Sequence, residues 1–260
     1  MSDILLFEQE GGIATLTFNT PDRGNSIDLD MAKALAAAAI RCDQDATIRC
    51  VVLTGAGRMF CVGGDIGLMQ RAADAAGTAL SELAGTLHMA VSYFARMAKP
   101  LLVLVNGPAA GAGMSLAILG DIVLAKKSAH FTTAYGAIGL TPDGGGSWLL
   151  PRLVGLRRAQ ELIFTNRRVA APEAESIGLI TRAIDDDMFA QEGAKMAAQL
   201  SAAATGAIGA ARVQLLEAYG AGLEVQLERE MRSIARAAGG AEGREGLAAF
   251  LAKRKPDFAG

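Results

Sequence analysis

The chain has 260 residues, of which 51% are hydrophobic and 20% charged, so it is a globular protein and not an intrinsically disordered one. A net charge of −2 and an aromatic content of 5% exclude the basic, aromatic-lined surface typical of nucleic-acid binding. Two histidines and three cysteines in no zinc-like spacing predict neither a metal site nor a disulfide framework.

The N-terminal residues lack the basic start and long apolar stretch of a signal peptide. An apolar run over 101–120 is interrupted by Asn106, Gly107 and Pro108, and the pieces on either side are too short to span a bilayer. We therefore expect a cytoplasmic protein with no membrane partner.

Strands and helices alternate through the first two-thirds of the chain. Alternating or short apolar runs predict strands over 4–7, 13–19, 49–54, 101–105 and 122–125. Helical patterns cover 31–40 and 72–97, and a further helix begins near Gly111. This order predicts an α/β fold with largely parallel strands.

Strand signals end at about residue 185, and helical patterns follow over 189–200, 208–219, 223–238 and 243–253. We therefore divide the chain into a core over 1–185 and a C-terminal helical region over 186–260.

Three glycine-rich turns follow three apolar runs. They contain Gly63 and Gly64, then Gly111 to Gly113, and finally Asp143 with the three glycines after it. Each turn can expose backbone N–H groups that stabilise a developing oxyanion. The alternative is that the glycines only permit tight packing.

Asp143 lies between Pro142 and three glycines, where backbone or ligand can approach closely. Such an acid is either a helix N-cap or a reactive group held open to a ligand.

Taken in order, the motifs resemble the crotonase (enoyl-CoA hydratase/isomerase) family over nearly the whole chain. The matching segments cover 19–26, 60–66, 99–113, 120–122, 138–146, 151–155, 174–179 and 250–258. The resemblance implies a crotonase-like spiral of β-β-α turns followed by a C-terminal helical region that serves oligomerisation, as a homotrimer or a dimer of trimers. It also implies acyl-CoA substrates, with coenzyme A entering as part of the substrate and no separate cofactor.

The resemblance places the oxyanion donors on the backbone of Gly64 and Ala112, and the acid on Asp143. The remaining residues that it suggests for substrate binding are Arg23, Cys61, Asp65, Ile66, Tyr135 and Lys253. Of these, Tyr135 is expected to line the acyl pocket, and Asp65 to fix the turn that presents Gly64. Arg23 and Lys253 are candidates for coenzyme A phosphates or are simply solvated charges.

This sequence departs from the hydratases of the family. Their two glutamates correspond here to Ser115, expected only to be small, and Tyr135, so an ordinary hydration mechanism with paired carboxylates is not expected. Asp143 matches instead the acid of the enoyl-CoA isomerases of the family, such as the ring-epoxide isomerase of phenylacetate catabolism. One carboxylate can remove a proton α to a thioester and return it to another carbon while the oxyanion site holds the enolate.

Other readings stay open at this point. A dehalogenase branch of the family has a histidine at the spacing of His88, an aromatic residue at Tyr135 and a nucleophilic aspartate at Asp143, although a lone helical histidine more often serves packing or lies on the surface. A hydratase or hydrolase that uses Asp143 alone and a non-catalytic binding member are the remaining alternatives.

Overall fold

A computed structural model describes residues 3–258. Its strands are β1 (Leu5–Glu10), β2 (Ile13–Phe18), β3 (Cys50–Gly55), β4 (Leu101–Val105), β5 (Ala109–Ala110), β6 (Ile122–Lys126), β7 (His130–Thr132), β8 (Val169–Ala170) and β9 (Arg182–Ile184). The larger sheet has the order β1-β2-β3-β4-β6-β9, antiparallel between β1 and β2 and parallel elsewhere. The second sheet has the order β5-β7-β8.

Helices follow the strands and then form the C-terminal region. They are α1 (Leu29–Gln44), α2 (Ile66–Ala72), α3 (Ala76–Arg96), α4 (Ala112–Ala117), α5 (Gly146–Val154), α6 (Leu156–Thr165), α7 (Ala171–Ser176), α8 (Phe189–Ser201), α9 (Thr205–Ala218), α10 (Leu223–Gly239) and α11 (Ala241–Leu251). None of these helices combines the length and the apolar character that crossing a bilayer requires.

The core repeats a β-β-α unit. The strands β4 and β5 are followed by α4, and β6 and β7 are followed by helices of the 146–176 segment. The turn after β3 follows the same plan, because Cys61 forms a bridge to Ala109 before α2 begins. Each unit thus places one strand in the larger sheet and a short extended segment beside it, which is the spiral that the family resemblance implied.

The main core lies between the larger sheet and the helices α1 and α3. Leu16, Leu53 and Val103 from adjacent strands are fully buried in it, as is Phe94 of α3. The other face of the sheet is covered by α8, whose Phe189 packs in a second cluster with strand residues. The core therefore fixes the strand ends from which the glycine-rich turns emerge.

The four C-terminal helices agree with the sequence-based prediction to within a few residues, and β9 ends at Ile184. The helix predicted over 72–97 is α3, Ala76–Arg96, which begins a few residues later than predicted. A break at Ala73, which adopts a φ of +46° and starts a short 3-10 turn, separates α3 from α2, a helix that the sequence analysis did not predict. A positive φ is unusual for alanine. Since no glycine or proline marks the position, the break carried no sequence signal.

Candidate active site

The first glycine-rich turn presents the backbone N–H of Gly64. Gly63 has a φ of +97°, and the Ile27 N–H donates to its carbonyl at 2.8 Å. The Asp65 N–H donates in turn to the Ile27 carbonyl at 2.9 Å, which fixes both sides of Gly64. Within residues 3–258 the Gly64 N–H has no acceptor, and a Cβ at this position would meet nothing within 4 Å. This N–H is therefore unused by the protein itself within the described residues.

The second turn lies directly against the first. The Ala110 N–H donates to the Cys61 carbonyl at 2.9 Å. A Cβ on Gly63 would lie 2.8 Å from the Ala110 oxygen and 3.3 Å from the Ala112 nitrogen. Ala112 begins α4, and its N–H likewise has no acceptor in the described part of the chain. Two unused N–H donors thus lie on two turns in contact, an arrangement that can stabilise an oxyanion.

The third turn holds Asp143, whose side chain does not cap a helix. The residue before α5 is Gly145, and α5 has no side-chain cap. Instead the Tyr135 hydroxyl donates to Asp143 Oδ1 at 2.6 Å. Burial, reinforced by the neighbouring Asp143 charge, raises the pKa of Tyr135 above its ordinary value, so the phenol stays protonated and remains a donor. Of the two alternatives for Asp143, the cap is therefore not the observed one.

Ser115 also holds the turn that contains Asp143. Its hydroxyl donates to the Asp143 carbonyl at 2.9 Å and lies 3.4 Å from the Tyr135 hydroxyl. A Cβ on Gly144 would come within 3.1 Å of Ser115 Cβ, and one on Gly146 within 2.5 Å of its Oγ. Gly144 and Gly146 thus pack closely on Ser115, whose role exceeds the small size expected of it.

His88 also contacts this turn, although the sequence favoured a packing or surface role. Its Nε2 accepts the Gly144 N–H at 3.0 Å from α3. Only an unprotonated ring nitrogen accepts such a bond, so in this arrangement Nε2 carries no proton. His88 therefore anchors the backbone immediately after Asp143.

Tyr135 connects the acid to the oxyanion turns. A Cβ on Gly111 would lie 4.0 Å from Tyr135 Cζ and 3.7 Å from Gly63 Cα. A small cavity of about 10 Å³, sufficient for roughly one water molecule, is lined by Gly111, Ser115 and Tyr135 among others. The expectation that Tyr135 is only a pocket wall is therefore incomplete, since it also donates to Asp143.

Three of the suggested substrate-binding residues flank Gly64. Cys61 is fully buried, and burial raises the pKa of its thiol to about 12, so it supports the turn from behind and offers no surface to a ligand. Asp65 caps α2 through the Gly67 N–H at 2.9 Å and pairs with Arg71 at 3.0 Å, so its side chain holds the helix that follows the Gly64 turn. Ile66, the first residue of α2, is 60% exposed.

Arg23 and Lys253 lie at the surface. Arg23 pairs with Asp28 at 2.9 Å, and Asp28 in turn caps α1. Lys253 follows α11 in the left-handed region, and within residues 3–258 no hydrogen bond or ion pair joins it to the other suggested site residues. Their contacts with coenzyme A phosphates remain predictions.

Asn25 is a supporting residue that the sequence did not single out. It is fully buried with a φ of +57°, and its Nδ2 donates to carbonyls of the loop after β3, including that of Met59 at 2.8 Å. Its Oδ1 accepts the Thr20 N–H at 2.9 Å. Asparagine tolerates the left-handed region better than most residues, which was the available signal.

The described residues contain no group of three His, Cys, Asp or Glu side chains placed to hold a metal ion. The site offers two backbone N–H donors without an acceptor in the described residues and one carboxylate that accepts a hydrogen bond from a tyrosine. This is a site able to polarise a carbonyl and transfer a proton.

The chain belongs to the enoyl-CoA hydratase/isomerase family, the crotonase superfamily, whose family model matches residues 8–260. It is 40% identical to the 1,2-epoxyphenylacetyl-CoA isomerase of Escherichia coli K12, with 100% of both chains covered. It is 31% identical to 4-chlorobenzoyl coenzyme A dehalogenase-2 of an Arthrobacter species, over 95% of this chain and 90% of that protein.

The fold is shared with solved members of the same family. The crystal structure of an enoyl-CoA hydratase from Polaromonas sp. JS666 superimposes with a TM-score of 0.93 at 33% identity. The match covers 97% of this chain and 98% of that one. The spiral core with its C-terminal helices is therefore the crotonase fold.

Proposed function

We propose that this protein isomerises an acyl-CoA thioester by proton transfer, with Asp143 as the base and the N–H groups of Gly64 and Ala112 as the oxyanion donors. The observation that carries the proposal is the state of Asp143. Its carboxylate caps no helix, and Oδ1 accepts from Tyr135 while Oδ2 has no partner within residues 3–258. One oxygen is thus held and the other is available to a substrate.

A single acid suits isomerisation better than hydration. Addition of water needs a base for the water and an acid for the carbon, usually two carboxylates. The two positions where hydratases of the family carry glutamates hold Ser115 and Tyr135, and both hydroxyls turn toward Asp143. One carboxylate can instead take a proton from one carbon and return it to another.

Hydrolysis through an ester on Asp143 is less well supported. Such a reaction needs a base that activates water near the carboxylate. His88 is the histidine that contacts the Asp143 turn, but its Nε2 already accepts the Gly144 N–H at 3.0 Å. It is therefore occupied in the arrangement observed.

The substrate class follows from the family and from the relative named above. We propose a coenzyme A thioester bearing a double bond or a ring epoxide near the carbonyl, as in fatty acid or aromatic catabolism. No metal or separate cofactor is expected to take part, because backbone N–H groups polarise the thioester. Binding of an acyl-CoA should accordingly survive EDTA.

The Asp143→Asn variant tests the proposal. Asparagine is nearly isosteric and can still accept from Tyr135, so folding and ligand affinity should change little. It cannot take a proton from carbon, so kcat should fall by about two to four orders of magnitude. The assay follows double-bond migration, hydration and epoxide isomerisation with a panel of 2-enoyl-, 3-enoyl- and 1,2-epoxyphenylacetyl-CoA esters.

Wild-type turnover in the asparagine variant would overturn the proposal. Wild-type enzyme that hydrates 2-enoyl esters and isomerises none of the panel would overturn it as well. Calorimetry with a non-reactive acyl-CoA separates loss of chemistry from loss of binding.

We also propose that the C-terminal helices assemble the protein as a trimer or a dimer of trimers. The helix α10 contributes no buried residue within the chain, although it carries large apolar side chains. A cytoplasmic location is part of the same proposal, and the three unpaired, buried thiols are compatible with a reducing compartment.

A further inference from the structure

The carboxylate of Asp143 and the backbone around it are held by separate contacts. The backbone is fixed by Ser115 Oγ and the Gly146 N–H, which both donate to the Asp143 carbonyl, and by His88 Nε2, which accepts the Gly144 N–H. The side chain is fixed once, by the Tyr135 hydroxyl on Oδ1 at 2.6 Å. Removing the Tyr135 hydroxyl should therefore free the carboxylate without releasing the turn.

We propose that Tyr135 is a positioning residue that binds Asp143 Oδ1 permanently and so leaves Oδ2 as the oxygen that exchanges protons with the substrate. This inference rests on the proposed function. It goes beyond it in assigning the two oxygens different tasks and in giving Tyr135 a part in the reaction.

The geometry favours a permanent bond. An O–H···O⁻ contact of 2.6 Å is in the range of charge-assisted hydrogen bonds, which are about twice as strong as neutral ones. The Ser115 proton is directed to the Asp143 carbonyl, so Ser115 does not compete as a donor to Oδ1. Because the partly buried phenol stays protonated, Tyr135 does not itself take the substrate proton.

The proton transfer then balances on one oxygen. A substrate C–H bond breaks, its proton forms a bond to Oδ2, and its electron pair passes into the thioester enolate. In the return step the Oδ2–H bond breaks, and the enolate electron pair forms a C–H bond at the other carbon. No oxidant, reductant or co-reactant is needed.

Tyr135→Phe is the primary test, since it removes the hydroxyl and keeps the ring. We expect kcat to fall roughly 10- to 100-fold, because the carboxylate is no longer held in its orientation. KM should change little, because substrate binding does not depend on the Tyr135 hydroxyl. The titratable groups beside Asp143 in the described residues are Tyr135 and His88. Loss of a donor to the charged carboxylate disfavours that form, so the acidic limb of the kcat/KM profile should move up by roughly one pH unit.

Ser115→Ala is the matched control, because it removes a hydrogen bond to the same residue but to its backbone. Whatever its rate, its acidic limb should stay at the wild-type pH. Replacement of Tyr135 by 3-fluorotyrosine, a stronger donor of nearly the same volume, should move the limb to lower pH. The 3-fluorotyrosine variant tests the positioning role of Tyr135 even if the phenylalanine variant does not fold.

Tyr135 would be only a pocket wall if the acidic limb of the kcat/KM profile lay at the same pH in wild type and in the Tyr135 variants. The same conclusion would follow if the substitutions changed KM and left kcat unaffected. In the Asp143→Asn background, Tyr135→Phe should cost less than about twofold in kcat, because it acts through the carboxylate. If Asp143→Asn retains wild-type turnover, the proposed function itself fails. If Asp143→Asn loses turnover but the Tyr135 variants keep the wild-type kcat and pH profile, the positioning role alone fails.

Discussion

At the scale of single residues, the backbone of Ala112 offers a direct test of the oxyanion site. Ala112 is the first residue of α4, the helical position at which proline is best tolerated, because no intrahelical bond uses its N–H. Ala112→Pro should therefore remove the donor while the helix persists. We expect kcat to fall by about two to three orders of magnitude, as when one oxyanion donor is lost elsewhere.

Gly64→Ala is the control for that variant. Gly64 is the second proposed oxyanion donor, and alanine keeps its backbone N–H. The added Cβ meets nothing within 4 Å in the free protein. Circular dichroism must show that both variants fold. A folded Ala112→Pro enzyme with wild-type kcat would exclude this N–H from the oxyanion site.

The candidate site was predictable where one residue type performs a local task. Asp143 and the glycine turns could be identified because glycine and proline restrict or free the backbone in known ways. The hydrogen bond from Tyr135 to Asp143 could not be predicted, since the segment between them includes a 3-10 turn and a left-handed Gly139. The contact of His88 with Gly144, 56 positions away, depends on tertiary packing.

At the scale of secondary-structure elements, Arg212 joins the C-terminal region to the core. From α9 its Nε donates to Asp121 Oδ1 at 2.6 Å, and its other nitrogens donate to the carbonyls of Phe94 and Met97 at the end of α3. Asp121 also accepts the Leu101 N–H at the start of β4 at 2.7 Å. One buried guanidinium thus ties α9, α3 and β4 together.

Arg212→Met should lower the free energy of unfolding by roughly 2–3 kcal/mol, because carbonyls and a carboxylate lose a charged donor. Denaturant titration at fixed protomer concentration measures the change. The control is Arg232→Met, which removes an exposed i,i+4 pair with Glu228 and should cost below about 0.5 kcal/mol. Equal effects of the two substitutions would contradict the assigned role of Arg212.

Elements with strong periodicity were predictable from the sequence, and very short ones were not. The C-terminal helices are long, and each has a recognisable start or end. The strands β5, β7 and β8 have two or three residues each, too few for an alternating pattern to be recognised. They exist because neighbouring turns of the spiral align them, which is a property of the tertiary fold.

At the scale of the whole molecule, α10 carries an apolar stripe that the other described residues leave largely exposed. Leu223, Leu227, Met231 and Ile234 recur at helical spacing and are each more than half exposed. A cleft of about 550 Å³ between α9 and α10 is lined by three of them. A contiguous apolar surface of this kind is typical of a protein interface.

The final prediction concerns that interface. Wild-type protein should have a mass of three or six times 26.8 kDa by light scattering at micromolar concentration. Leu227→Glu combined with Ile234→Glu should dissociate it, since each charge would be desolvated in the contact. Leu6→Glu, a charge on an exposed side chain of β1, should leave the mass unchanged. Because Asp143, Tyr135 and the two N–H donors all belong to one chain, any activity lost on dissociation would mean that the partner contributes to substrate binding. A monomeric wild-type protein, or a double variant that keeps the wild-type mass, would show that the stripe on α10 does not hold the assembly.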